Sequence, residues 1–279
     1  TAYGLQLQLW NSSLDGDSGY ISHGAKVESS MTDRPAERKP VIWIHLHKTA
    51  GTMMCKFAKI NDEVVVEPEG NCNFWLDGGL AVDGFAAMGL QKHRMSCAQR
   101  SELYRRNGFT WGQIEREVNL EDIGCNDSFM YGIMLREPMG LMLSSLNYDH
   151  WNATNLVTWL QDTEVNIEHA CGDCCNHTGL RNPAWQMFDN FAVRTLNGYD
   201  AWMKPPGHVT EKDLEQAKQH LAAMDVVMVL EDLEQDKVQM EKFMGWKNTE
   251  FDEENVTPHS KHFTGDQHTF LKQLNKYDD

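Results

Sequence analysis

Three short apolar runs stand out of an otherwise mixed chain. Residues 41–46 (Val-Ile-Trp-Ile-His-Leu) are continuous, with β-branched residues among them. That is the pattern of a strand buried on both faces of a parallel sheet. Residues 129–135 and 225–230 read the same way. Between them the spacing turns helical. Helices are expected over 52–60, 96–106 with Ser96 as cap, 111–118, 138–148 opened by Pro138, and 184–196 closed by Asn197-Gly198. Two more are expected over 211–223, capped by Thr210, and 231–244, stopped by Gly245. Strands alternating with helices imply an α/β fold, a P-loop-like three-layer arrangement with a central parallel sheet flanked by helices. Residues 67–95 are Gly-rich and show no assignable period. Residues 1–39 read as a polar N-terminal arm, and 40–279 as one domain.

Length fits that reading, since 279 residues suit one large α/β domain. The formal charge of −16 argues against nucleic acid as a partner, because phosphate backbones are gripped by clustered Lys and Arg. It also argues mildly against a heavily sulfated polymer. No apolar run of about 18 residues occurs, so no stretch of this sequence is expected to span a membrane. The sequence starts at Thr1 and leaves open an anchor before it, as in a type II membrane protein.

Seven cysteines and five Asn-x-Ser/Thr sequons, at Asn11, Asn126, Asn152, Asn176 and Asn255, favour a secretory or Golgi lumen. The odd count leaves at least one thiol free if the others pair. Cys171, Cys174 and Cys175, flanked by His169 and His177, offer ligand types for zinc, but no second Cys-x2-Cys pair completes a finger. A disulfide-tied loop is the preferred reading, with the pairing open.

Two segments carry candidate chemistry. His47-Lys48-Thr49-Ala50-Gly51-Thr52 follows the first strand and opens a helix. Amides at such a turn attract anions, Lys48 adds a charge, Thr49 and Thr52 offer hydroxyls, and small Ala50 and Gly51 admit a phosphate closely. A Walker A loop is excluded, since the Gly-x4-Gly-Lys-Ser/Thr spacing is missing. The second segment is Leu135-Arg136-Glu137-Pro138, with Ser144 eight residues beyond Arg136. Arg136 would sit at the carboxyl edge of the sheet, where open α/β sheets bind ligands, and an Arg fork with a hydroxyl suits a second phosphate.

Residues 45–52 (His-Leu-His-Lys-Thr-Ala-Gly-Thr) resemble the 5'-phosphosulfate loop of the Golgi carbohydrate sulfotransferases, usually His-Ile-Pro-Lys-Thr-Gly-Gly-Thr. Leu-Arg-Glu-Pro with Ser144 resembles that family's 3'-phosphate site. Residues 189–196 resemble its later Asn/Arg helix, and 213–246 also fit, in order. The departures are His47 for Pro, which changes only a turn, and Ala50 for Gly, which restricts the loop because a non-Gly residue does not freely take positive φ.

The resemblance implies transfer of a sulfuryl group from PAPS (3'-phosphoadenosine 5'-phosphosulfate) to an acceptor hydroxyl on a glycan or small molecule, leaving PAP. Lys48 and the loop amides would stabilise the departing phosphate oxygen, and the scheme requires no metal. Relatives use a His or Glu base from a later segment. His93, 45 residues after Lys48, is the expected base, with Glu67 and Glu69 as alternatives. Other readings of the same features are a P-loop nucleotide kinase or NTPase and an inactive glycan-binding relative. The sequence does not identify the acceptor.

Overall fold

The computed structural model describes residues 38–67, 71–76, 80–84, 94–162, 185–250 and 260–279. The chain divides after Arg38, and Lys39–Asp279 is one unit. The strands of this unit are β1 (Val41–Ile44), β2 (Trp75–Leu76), β3 (Leu80–Ala81), β4 (Trp111–Ile114), β5 (Met130–Leu135) and β6 (Val226–Val229). Its α-helices are α1 (Gly51–Ile60), α2 (Cys97–Asn107), α3 (Leu120–Ile123), α4 (Pro138–Tyr148), α5 (Ala153–Gln161), α6 (Phe191–Leu196), α7 (Gly198–Trp202), α8 (Glu211–Ala222), α9 (Leu233–Gln239) and α10 (Gly265–Leu274). β2 and β3 form a separate antiparallel pair.

The central sheet is all parallel, in the order β4-β1-β5-β6. Alternation along β1 explains the layers. Ile42 and Ile44 point into one core with Leu141 and Leu146 of α4, Phe191 of α6 and Leu271 of α10. Val41 and Trp43 point into the other, with Met54 and Phe57 of α1, Leu233 of α9 and Trp246. A strand buried on both faces needs apolar residues at every position, which is why β1 reads as an unbroken apolar run. From β1 the chain first places β4 on one side, then returns to place β5 on the other. The winding therefore reverses at β1, and the carboxyl ends of β4, β1 and β5 frame the crevice where such sheets bind ligands.

Two expectations fail. Residues 111–118 do not form a helix: Trp111–Ile114 is β4, paired in register with all of β1. Tertiary packing decides this, since Trp111 stacks on Trp43 at 5.6 Å and meets Trp246 at 4.9 Å between ring centroids. The expected 184–196 helix is broken. A 3₁₀ turn at Trp185–Phe188 stops, Asn190 takes φ 48°, and α6 starts anew. At the break, buried Asp189 pairs with Arg194, whose guanidinium also donates to the carbonyls of Ala201, Lys204 and Pro205. Arg194 thus holds the fold together. The caps at Ser96 and Thr210 are present, each completed into a capping box by Gln99 and Asp213.

Disulfides Cys55–Cys72 and Cys97–Cys125 tie α1 and α2 to the segments around β4 and β5. Each closes a loop long enough to contribute on the order of 3 kcal/mol. Such pairs persist in an oxidising, secreted or lumenal environment. Cys171, Cys174 and Cys175 lie outside the described residues. Of the sequons, Asn126 and Asn152 lie within them, and both are exposed. No helix among the described residues is long and apolar enough to cross a membrane.

Candidate functional site

The turn from β1 to α1 is built by its own residues. The Thr49 amide and hydroxyl both donate to the Leu46 carbonyl, at 3.2 and 2.7 Å, and the side chain is fully buried. Thr49 therefore closes the turn instead of offering a free hydroxyl, a correction to its expected role. Lys48 and Ala50 both take the left-handed conformation, with φ of 65° and 61°. Gly51 is required for a reason other than phosphate approach: a Cβ there would lie 2.0 Å from the His45 ring. Ala50, the N-cap of α1, has no side chain that can cap it, and among the described residues no side chain accepts from the amides of its first turn, including that of exposed Thr52.

Ala50 carries the cost that its position in the family pattern suggests. A Cβ in the left-handed region is unfavourable by roughly 1–2 kcal/mol, partly offset because glycine has more chain entropy to lose on folding. Ala50→Gly should therefore stabilise the protein by about 0.5–1 kcal/mol. An unchanged or lower thermal midpoint would mean that the turn is not strained.

Arg136 joins the two candidate segments. It follows β5, and its Nη1 donates to the Lys48 carbonyl at 2.9 Å. Its Nε lies 3.7 Å from Glu231, an ion-pair distance that leaves most of its five N–H donors for other partners. Pro138 opens α4, and Glu137 caps it by accepting from Met139 and Gly140. A Cβ on Gly140 would lie 3.2 Å from the Glu137 carboxylate and 3.5 Å from the Arg136 Nε. Ser144 lies one turn further along that face and is buried. Arg136, Gly140 and Ser144 thus line one side of α4 beside the loop.

Facing the loop is a cluster of ionisable groups. The Lys48 ammonium rests 3.4 Å above the Tyr148 ring, and burial pushes its pKa down. His47 is buried, its Nδ1 2.9 Å from Glu115 and its Nε2 3.6 Å from Asp149. Burial alone would lower its pKa, but the two carboxylates outweigh burial and raise it to about 9. Glu115 also accepts from Asn73 at 2.9 Å and lies 3.5 Å from His45. Burial would raise the Glu115 pKa, yet His45, His47 and Asn73 hold it down at about 2. His45, buried by the sheet end, is kept below its usual value. His47 is therefore more than a turn residue: it is a charged link between β1, β4 and α4.

His93 and Glu69 lie outside the described residues. Glu67 is exposed, on a segment that bridges to Trp111 at the start of β4, whereas Glu115 follows the end of that strand. Glu115, Tyr148 and Asp149 belong to no motif that marks them in the sequence, and His45 is marked only as the first residue of the loop stretch 45–52. Recognising 111–114 as a strand would have exposed Glu115, because the residue after a parallel strand faces the ligand crevice. No protein-family model matches this chain, and no curated protein matches it.

Proposed function

We propose that this protein is a sulfotransferase that moves a sulfuryl group from PAPS to a hydroxyl of a glycan or small molecule, in the lumen of the Golgi. The observation that carries the reading is the bond from Arg136 to the Lys48 carbonyl, which joins two anion-binding segments at adjacent strand ends. One is an uncapped helix start with a lysine, suited to the 5'-phosphosulfate. The other is an arginine with Ser144 on a helix face opened by Gly140, suited to the 3'-phosphate. Lys48 would neutralise charge growing on the bridging oxygen as sulfur departs.

PAP should raise the thermal midpoint, because a ligand that binds only the folded state stabilises it by mass action. ATP with Mg²⁺ should do much less, and a larger shift with ATP would favour a nucleotide kinase. Arg136→Ala should weaken PAP binding by about 10–100-fold, the loss expected for one charge-assisted contact. Binding of adenosine 5'-phosphosulfate, which has no 3'-phosphate, should change far less. Equal losses for both ligands would take Arg136 away from the 3'-phosphate.

A further inference from the structure

A transfer to a hydroxyl needs a group that accepts its proton, and the cluster around Lys48 holds three candidates. They differ in what already occupies their lone pairs. Both Glu115 oxygens are engaged, one by His47 and the other by Asn73 with His45 beyond it. Such a carboxylate is a weak base, consistent with its depressed pKa. His47 lies between two carboxylates and carries its proton at neutral pH. Asp149 is different. It is only 4% exposed, and among the described residues no donor stands within 3.5 Å hydrogen-bonding reach of either oxygen. Its nearest ion-pair partner, His47 Nε2, stands at 3.6 Å, beyond hydrogen-bonding distance. A buried carboxylate without donors is costly and calls for a physical reason.

Position supplies one. Asp149 is the C-cap of α4, the helix whose start and inner face carry Arg136, Gly140 and Ser144. It adjoins Tyr148, on whose ring the Lys48 ammonium lies, and its charge acts on Lys48. A hydroxyl that reached these buried, unpaired oxygens beside the lysine of the phosphosulfate loop would find a proton acceptor there. Among the described residues, Glu115, His47, His45, Lys48, Tyr148 and the adjacent His150 are titratable groups around it.

Building on the sulfotransferase reading, we propose that Asp149 is the catalytic base, accepting the proton of the acceptor hydroxyl, with His47 as a positioning residue held by Glu115. In the step, the hydroxyl proton passes to an Asp149 oxygen and the acceptor oxygen bonds to sulfur. The bond from sulfur to the bridging oxygen breaks, and its electron pair stays on the 5'-phosphate of PAP. His47, held on its other side by Glu115, faces the Asp149 carboxylate at 3.6 Å and orients it.

The test uses ³⁵S-labelled PAPS with a panel of p-nitrophenyl glycosides, scored on the glycoside that takes most label. Asp149→Asn should lower turnover by about 10²–10⁴-fold. It should leave the shift induced by PAP unchanged in a protein that still folds, although the ligand-free melting temperature falls because His47 loses one of its two carboxylates. In Asp149→Ala, added formate should restore part of the rate, since a small carboxylate can occupy the vacated space. His47→Gln should lower turnover less than Asp149→Asn and alter the pH–rate profile while preserving the PAP shift. Near-normal turnover in Asp149→Asn would overturn the assignment. So would loss of the PAP shift or failure to fold, either of which would make Asp149 a binding or structural residue. A wild-type protein that PAP does not stabilise and that labels no glycoside would instead defeat the sulfotransferase reading, and this assignment with it. Labelling by wild type and by Asp149→Asn alike would defeat only the base.

Discussion

Lys48→Ala should lower sulfuryl transfer by roughly 10²–10³-fold, the loss expected when one preorganised donor is removed from developing charge. PAP affinity should fall as well, by about 10–100-fold, because the same ammonium faces the ground-state phosphate. The double effect separates Lys48 from Asp149, whose replacement is expected to spare PAP binding. The substitution is clean in one respect. Lys48 already adopts a left-handed backbone, and alanine carries the same Cβ penalty there, so the turn gains no new strain. The Lys48–Tyr148 contact is lost, at a cost of roughly 0.5–2 kcal/mol. Isothermal titration with PAP and label transfer from PAPS provide the two readouts. Intact turnover in a folded variant would remove Lys48 from the chemistry, and with it the main support for the phosphosulfate loop.

Arg116→Ala should destabilise the protein by about 3–5 kcal/mol, as expected when one member of a buried ionic network is removed. Arg116 is fully buried immediately after Glu115. It donates to Asp122 at 2.7 and 2.9 Å, to Asp83 at 3.0 Å, and to the carbonyls of Val82 and Glu117. Arg100 also bonds Asp83, and Arg94 pairs with Asp122 and Glu117, but neither can replace the missing donors. Two buried carboxylates and two main-chain carbonyls would lose partners at once. For a unit of this size the loss corresponds to a drop in melting temperature of roughly 6–20 °C. Denaturant unfolding of the disulfide-intact protein would measure it. A change below about 1 kcal/mol would mean that Arg94 and Arg100 reorganise to compensate. The network fixes the chain as it leaves β4 and so fixes Glu115 against His47.

Both results bear on how the site is assembled. The Lys48 loop and the Arg136 segment are each contiguous in sequence, so residue type and spacing suffice to mark them. The His47–Glu115–Asp149 cluster has no such signature. Its members come from the ends of β1, β4 and α4, and its key strand is short, contains a glycine and a glutamine, and has the spacing of a helix. Local propensity is a weak guide to four residues whose strand state depends on pairing with β1 and on tryptophan stacking. The same limit applies at Asn190, where the ion pair of Asp189 with Arg194 interrupts residues whose spacing reads as one helix.

The sequence by itself determined the α/β class, the three apolar strands at β1, β5 and β6, the capped helices, and the residues of both candidate anion-binding segments. These arise from continuous hydrophobicity, end-capping side chains and short motifs, all of which act within a few residues of chain. Only the tertiary structure decided that β4 joins the sheet beside β1, that Thr49 turns inward to close its loop, and that Cys55 pairs with Cys72 and Cys97 with Cys125. It also decided that Asp149 is buried 3.6 Å from His47, with no donor among the described residues at hydrogen-bonding distance. Each of these depends on which segments meet across the sheet. The energies concerned are those of burial, stacking and charge separation in a low-dielectric interior, and they exist only once distant parts of the chain are in contact.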